Sequence, residues 1–249
     1  MFPYFFKFGS FTLYSYPMFI GLSLASAFIV SELLFKKFKI DLKKFYNLYI
    51  GSVVSAFIGA KLLFVISSPI DQKLILYNSN FWLGGGLVFL GGFIGILIFF
   101  IFYNLFVKIK LKEIALLIPG LTVAHSIGRI GCFLAGCCYG KESNIYWAIH
   151  LHGQDRHPVQ IYESIVLIII TYILIKILSK NLFKEAIIFY LTAYSLARFI
   201  LEFFRGDKIR GLFDIFGIYL STSQIISVML FIIGIVLLGV VKKKNTVAI

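Results

Sequence analysis

Three arginine-bearing stretches and one cysteine cluster carry most of the reactive chemistry in this otherwise apolar chain. In His125-Ser126-Ile127-Gly128-Arg129, His125 and Arg129 are four residues apart and share one helix face. A guanidinium grips a phosphate through two parallel hydrogen bonds, and an imidazole titrates near neutral pH, where a general base works best. In Arg198-Phe199-Ile200-Leu201-Glu202-Phe203-Phe204-Arg205, Arg198 and Glu202 have the same spacing. That pair reads either as a structural salt bridge or as Glu202 orienting Arg198 toward an anionic headgroup. In Arg156-His157-Pro158-Val159-Gln160-Ile161-Tyr162-Glu163, proline suits the first turn of a helix. Gln160, Tyr162 and Glu163 then open that helix as polar groups needing partners, by themselves a membrane-interface cap.

Cys132, Cys137 and Cys138 form a candidate thiol site. With His125 they have the softness to bind a thiophilic metal, but adjacent cysteines such as Cys137 and Cys138 rarely ligate one ion together. No metal and no cofactor are therefore expected. Small buried packing residues and a disulfide on an oxidising face are the other readings.

A glycine run, Gly84-Gly85-Gly86 followed by Gly91-Gly92 and Gly95, suits tight helix packing in a membrane or close approach of a headgroup or peptide to the backbone. Ser221-Thr222-Ser223-Gln224 opens the last apolar segment, as cavity lining or as helix–helix hydrogen bonding.

These residues must be positioned by helices in a bilayer. Of 249 residues, 60% are hydrophobic and 14% charged, against roughly half and a quarter in soluble domains. Mean hydropathy is +0.94. The apolar residues fall in blocks long enough to cross the hydrocarbon, about 14–35, 46–66, 86–106, 114–133, 160–178, 185–204 and 217–240. The fold class expected is all-α: a polytopic helical bundle of about seven transmembrane helices forming a single membrane domain, residues 1–249. The net charge of +13 is not a nucleic-acid signature, because the basic residues lie in the short segments between blocks and no stacking aromatics alternate with them. Fourteen of the 24 follow the odd-numbered blocks: Lys36, Lys37, Lys39, Lys43, Lys44; Lys108, Lys110, Lys112; Lys176, Lys180, Lys184; and Lys242, Lys243, Lys244. The other side holds Lys7, Lys73, Lys141, Arg156, Arg205, Lys208 and Arg210. The positive-inside rule then places the N-terminus outside and the C-terminus in the cytoplasm. The loops 67–83, with Asp71 and Trp82, and 134–158, with Tyr146, Trp147 and His150, fall on the outer face. No cleavable signal peptide is evident in the aromatic N-terminal segment. Lys61, Arg129 and Arg198 remain within the blocks, where charge is expensive and usually serves a cavity, a partner or a substrate.

Taken together the motifs resemble the bacterial prolipoprotein diacylglyceryl transferase family, in order and spacing from the second block to the seventh. The resemblance rests on Gly59-Ala60-Lys61, with Lys61 where the family has Arg; on the Gly-Gly-x-x-Phe-x-Gly-Gly run ending in Gly91-Gly92; on Gly128-Arg129-x-Gly131-x-Phe133; on Arg156-His157-Pro158-x-Gln160-x-Tyr162-Glu163; on Arg198-x-x-x-Glu202-Phe203-x-Arg205; and on Ser221-x-x-Gln224. It implies a multi-pass protein of the bacterial cytoplasmic (inner) membrane. Such a protein transfers the diacylglyceryl group of phosphatidylglycerol to the lipobox cysteine thiol of a prolipoprotein, recognised through its signal peptide, with release of glycerol 1-phosphate and without metal. Arg129 and Arg198 match the phosphate-gripping arginines and Glu202 the acid behind the second. Lys61, Gly91, Gly92, Gln160, Tyr162, Glu163, Tyr194, Arg205 and Gln224 fall to substrate binding. The chain departs from the family at Leu90, where relatives carry the histidine usually taken as base. It departs again at Cys132, Ala135 and Cys137, where relatives carry Asn, Asn and Glu. His125, one turn before Arg129, becomes the replacement base. The alternative is a non-catalytic paralogue that binds lipid or a partner, or a protein built around an outer-face thiol or metal site.

Overall fold

The computed structural model describes residues 4–8, 11–67, 88–207, 212–215 and 218–247. The start of the glycine run at 84–87, the loop residues Asp71, Lys73 and Trp82, and Lys208 and Arg210 lie outside them, as do the side chains of Lys7, Leu90 and Lys242 to Lys244. Among the described residues are seven helices: α1 (Ser15–Lys37), α2 (Leu42–Ser67), α3 (Phe89–Phe106), α4 (Leu111–Ala135), α5 (Val159–Ser179), α6 (Phe183–Glu202) and α7 (Thr222–Val247). Each overlaps one expected apolar block. Five of them, α1, α2, α4, α5 and α7, are long and apolar enough to cross a membrane; α3 is shorter, and α6 carries Lys184, Glu185, Arg198 and Glu202. Side chains such as Ile101 and Phe102 on α3, Ile168 and Ile169 on α5, and Ile232 and Ile233 on α7 are exposed, an apolar exterior that a soluble protein does not carry. The chain is a multi-pass membrane protein.

Three short antiparallel strand pairs accompany the helices: β1 (Tyr4–Phe8) with β2 (Phe11–Tyr14) ahead of α1, β3 (Ile149–Leu151) with β4 (Gln154–Arg156) between α4 and α5, and β5 (Leu212–Ile215) with β6 (Ile218–Ser221) between α6 and α7. The last apolar block therefore begins as a strand, and α7 starts only at Thr222. A reciprocal capping box sets that start: the Ser221 amide donates to Gln224 Oε1 at 2.9 Å and the Gln224 amide to Ser221 Oγ at 3.2 Å. Each satisfies an otherwise orphaned donor at the helix end.

The chain divides into two compact units. One, Glu32–Glu113, is organised by α2 and α3. Their backbones touch at glycine: a Cβ on Gly91 would lie 2.3 Å from Gly59 O, and one on Gly95 2.2 Å from Ser55 O. Phe35, Phe45 and Leu48 are fully buried in this unit. Lys44 Nζ meets Glu113 Oε2 at 2.8 Å and donates to Lys108 O at 2.7 Å.

The other unit holds the chain up to Ser31 and from Ile114 onward. The part of α1 up to Ser31 packs on α4, where Gly120 meets Ser31 and Ala27. Helix α4 joins α5 through buried hydroxyls: Thr122 Oγ1 with Thr171 Oγ1 at 2.7 Å and Ser126 Oγ with Ser164 Oγ at 2.8 Å. Small hydroxyl residues allow close approach and supply interhelical hydrogen bonds where lipid supplies none. Helix α6 packs between α5 and α7, with Gly234 of α7 against Thr192.

Candidate functional site

Charged and polar side chains from three helices of the larger unit meet at one carboxylate. Glu163 sits in the first turns of α5, 2% exposed. From α4, Arg129 Nε lies 2.9 Å from Glu163 Oε2, and Arg129 Nη2 donates to Oε1 at 3.2 Å. One turn earlier on α4, His125 Nε2 is 3.5 Å from Oε1. From α6, Tyr194 Oη donates to Oε1 at 3.0 Å, and Arg198 Nη1 lies 3.6 Å from Oε2. Tyr194 stacks on Tyr190, and its ring meets the His125 ring edge-on at 5.4 Å. A lone buried carboxylate is costly; two guanidiniums and a phenol compensate it and are themselves held rigid.

The chain of charges continues from Arg198. Its Nη2 lies 2.8 Å from Glu202 Oε2, one turn on in α6, and donates to Ser223 Oγ of α7 at 3.1 Å. Arg205 Nη1 lies 3.8 Å from the same Glu202 oxygen, and its Nε donates to Asp207 Oδ1 at 2.8 Å. His125, Arg129, Glu163, Tyr194, Arg198, Glu202 and Arg205 thus form one connected set of contacts across α4, α5, α6 and the segment just after α6. Glu202 serves Arg198 and Arg205, whereas Glu163 serves both Arg129 and Arg198. Ser223 was not among the candidates; only its place one residue before Gln224 in the Ser221-to-Gln224 stretch pointed to it.

The loop between α4 and α5 is stitched to the end of α6. The Lys141 amide donates to Phe204 O at 2.7 Å, the Gly206 amide to Tyr139 O at 3.0 Å, and the His157 amide to Lys141 O at 3.0 Å. Gly140 and Gly206 allow this: a Cβ on Gly206 would lie 2.4 Å from Gly140 O. Arg156 bonds to Leu151 O and Glu142, closing the loop on the β3–β4 hairpin.

Other candidates are placed differently. Gln160 is buried (1%) and donates to Cys137 O at 2.7 Å; its Oε1 accepts nothing among the described residues. Tyr162 Oη accepts from Trp147 Nε1 at 2.7 Å, on the loop side. Gln224 is held in the capping box. Lys61 belongs to the smaller unit, buried, with its ammonium 5.3 Å from the Phe57 ring centre. Gly91 and Gly92 are in the same unit, packed on α2. Cys132, Cys137 and Cys138 are free thiols whose sulfurs all lie within 4.8 Å of one another. Cys138 takes a positive φ of 57° directly after Cys137.

This is a helical membrane protein whose buried site gathers two guanidiniums, an imidazole and a phenol around one carboxylate. The family model described as prolipoprotein diacylglyceryl transferase matches residues 3–240. The chain is 34% identical to the phosphatidylglycerol–prolipoprotein diacylglyceryl transferase of Clostridium tetani, over 94% of this chain and 95% of that protein. It is 36% identical to the second such enzyme of Clostridium perfringens (94% and 93% covered) and 30% identical to that of Campylobacter jejuni subsp. doylei (92% and 90%). The chain belongs to the prolipoprotein diacylglyceryl transferase family.

Proposed function

We propose that this transferase of lipoprotein biosynthesis moves the diacylglyceryl group of phosphatidylglycerol to the lipobox cysteine of an exported prolipoprotein at the outer face of the bacterial inner membrane. The topology this uses is a single membrane domain with seven spans, N-terminus outside and C-terminus cytoplasmic. The lysine-rich segments after alternate apolar blocks support that orientation.

The observation that carries the reading is the Glu163 hub. One buried carboxylate holds Arg129 and Arg198 from different helices, so two guanidiniums are preorganised for one phosphodiester. Transfer forms a bond between the acceptor sulfur and the glyceryl carbon of the donor and breaks that carbon's bond to the phosphate oxygen. The electron pair leaves with the oxygen, and glycerol 1-phosphate departs with its charge stabilised by Arg129 and Arg198. The acceptor thiol must lose its proton, since the thiolate is the nucleophile. His125, with Nε2 toward Glu163, keeps Nδ1 to receive it. The unpartnered Gln160 Oε1 suits a headgroup hydroxyl, because buried acceptors seek a donor.

The test is a transfer assay with purified protein, phosphatidylglycerol and a lipobox peptide. Glycerol phosphate release with a lipid-shifted peptide, abolished in Arg129→Ala, is the expected result. Release without peptide modification would overturn the acceptor, and no turnover of either would overturn the reaction.

A further inference from the structure

The three cysteines take no part in the transfer chemistry above, yet the backbone gathers them. Cys132 lies in the last turn of α4, and the chain leaves through Gly136 at φ 75° and Cys138 at φ 57°, left-handed conformations that bend it sharply. The Cys137 amide donates to Cys132 O at 3.1 Å, and the Cys137 thiol reaches the same carbonyl at 3.6 Å. On the other side Gln160 Nε2 holds the Cys137 carbonyl at 2.7 Å. The turn is therefore fixed from both ends, and the three Sγ atoms lie within 4.8 Å of one another. A metal–thiolate bond of about 2.3 Å puts the sulfurs of a trigonal site about 4 Å apart, so the trio needs only a small contraction. Cys137 is exposed and the other two are half-buried, which leaves a way in for an ion.

Among the described residues no His, Asp or Glu joins the group. Zinc usually takes four ligands, whereas Cu(I) is selected by soft sulfur donors and is content with three. Three thiolates around a monovalent ion carry a net charge of −2. The Arg129 and Arg205 guanidiniums act on Cys138 electrostatically.

We propose that Cys132, Cys137 and Cys138 form a trigonal thiolate site for a thiophilic monovalent cation of the Cu(I) class, beside the Glu163 hub and separate from it. Binding releases three thiol protons to solvent and changes no oxidation state.

The test uses the full chain in detergent, reduced and oxygen-free, titrated with Cu(I) against a chromophoric Cu(I) chelator. One copper per chain should be withdrawn from the chelator, and thiol-reagent labelling of the three cysteines should be suppressed on loading. Cys137→Ser and Cys138→Ser should each lose this binding while keeping the elution profile and unfolding temperature of the parent; Cys137 is exposed, so its replacement disturbs no packing. The proposal is overturned if the reduced parent holds no more copper than the triple Cys→Ser variant. It is equally overturned if either single variant still binds as the parent does.

Discussion

Arg129 and Glu163 face each other side-on, Nη2 donating to one carboxylate oxygen at 3.2 Å while Nε lies 2.9 Å from the other. The two residues come from neighbouring helices and are 34 positions apart in the chain. Arg198 approaches the same carboxylate from a third helix. Glu163 is thus the group that ties Arg129 to Arg198.

Replacing Glu163 by Gln keeps its shape and removes its charge, leaving two buried guanidiniums undercompensated. Breaking a buried ion pair on one side costs about 3–5 kcal/mol. We expect a clear drop in unfolding temperature together with loss of transfer, read as kcat/KM for phosphatidylglycerol. Parent-like activity in this variant would mean that something other than Glu163 orients the arginines.

His125→Gln retains hydrogen-bonding capacity but cannot take a proton. Loss of a general base lowers rates by about 10²–10⁴-fold, so kcat should fall on that scale with KM for phosphatidylglycerol nearly unchanged. The unfolding temperature should hold, since His125 is partly exposed at 31%. Full activity would remove His125 from the mechanism.

At the α2–α3 crossing, Gly91→Val places atoms where Gly59 O already stands. The obstacle is backbone, which cannot rotate away. Overpacking of this kind costs about 1–3 kcal/mol, and thermal unfolding in detergent should show it. An unchanged transition would indicate that the two helices separate readily.

The Ser126–Ser164 pair offers a contrast. Interhelical hydroxyl bonds in membrane proteins are worth about 0.6 kcal/mol on average. Ser126→Ala should therefore shift stability only slightly, and a double-mutant cycle with Ser164→Ala should return a coupling well below the Glu163→Gln effect. A larger coupling would make this pair a principal link between α4 and α5.

Much of the architecture was legible in the chain. The helix positions follow from unbroken apolar blocks, and residues such as Arg129, Arg198 and Glu202 announce themselves by being charged inside such blocks. The i, i+4 spacing also reads directly as the Arg198–Glu202 contact at 2.8 Å. The start of α7 was less legible: apolar content continues through 217–221, but β6 occupies 218–221 and the Ser221–Gln224 capping box begins the helix after it.

By itself the sequence determined the apolar helices, with limits near the expected ones except at α7, the family, and the identity of nearly every charged group in the cluster. Those features depend on hydropathy and spacing along one segment, which are local properties. Tertiary structure alone decided that Glu163 joins Arg129 to Arg198 from different helices, that Ser223 reaches Arg198, and that Cys137 and Cys138 turn toward Cys132. Each of these depends on how helices rotate and cross, or on a left-handed turn at one residue. Periodicity places a side chain on a face of its own helix; which neighbour that face meets is settled by packing the helices together.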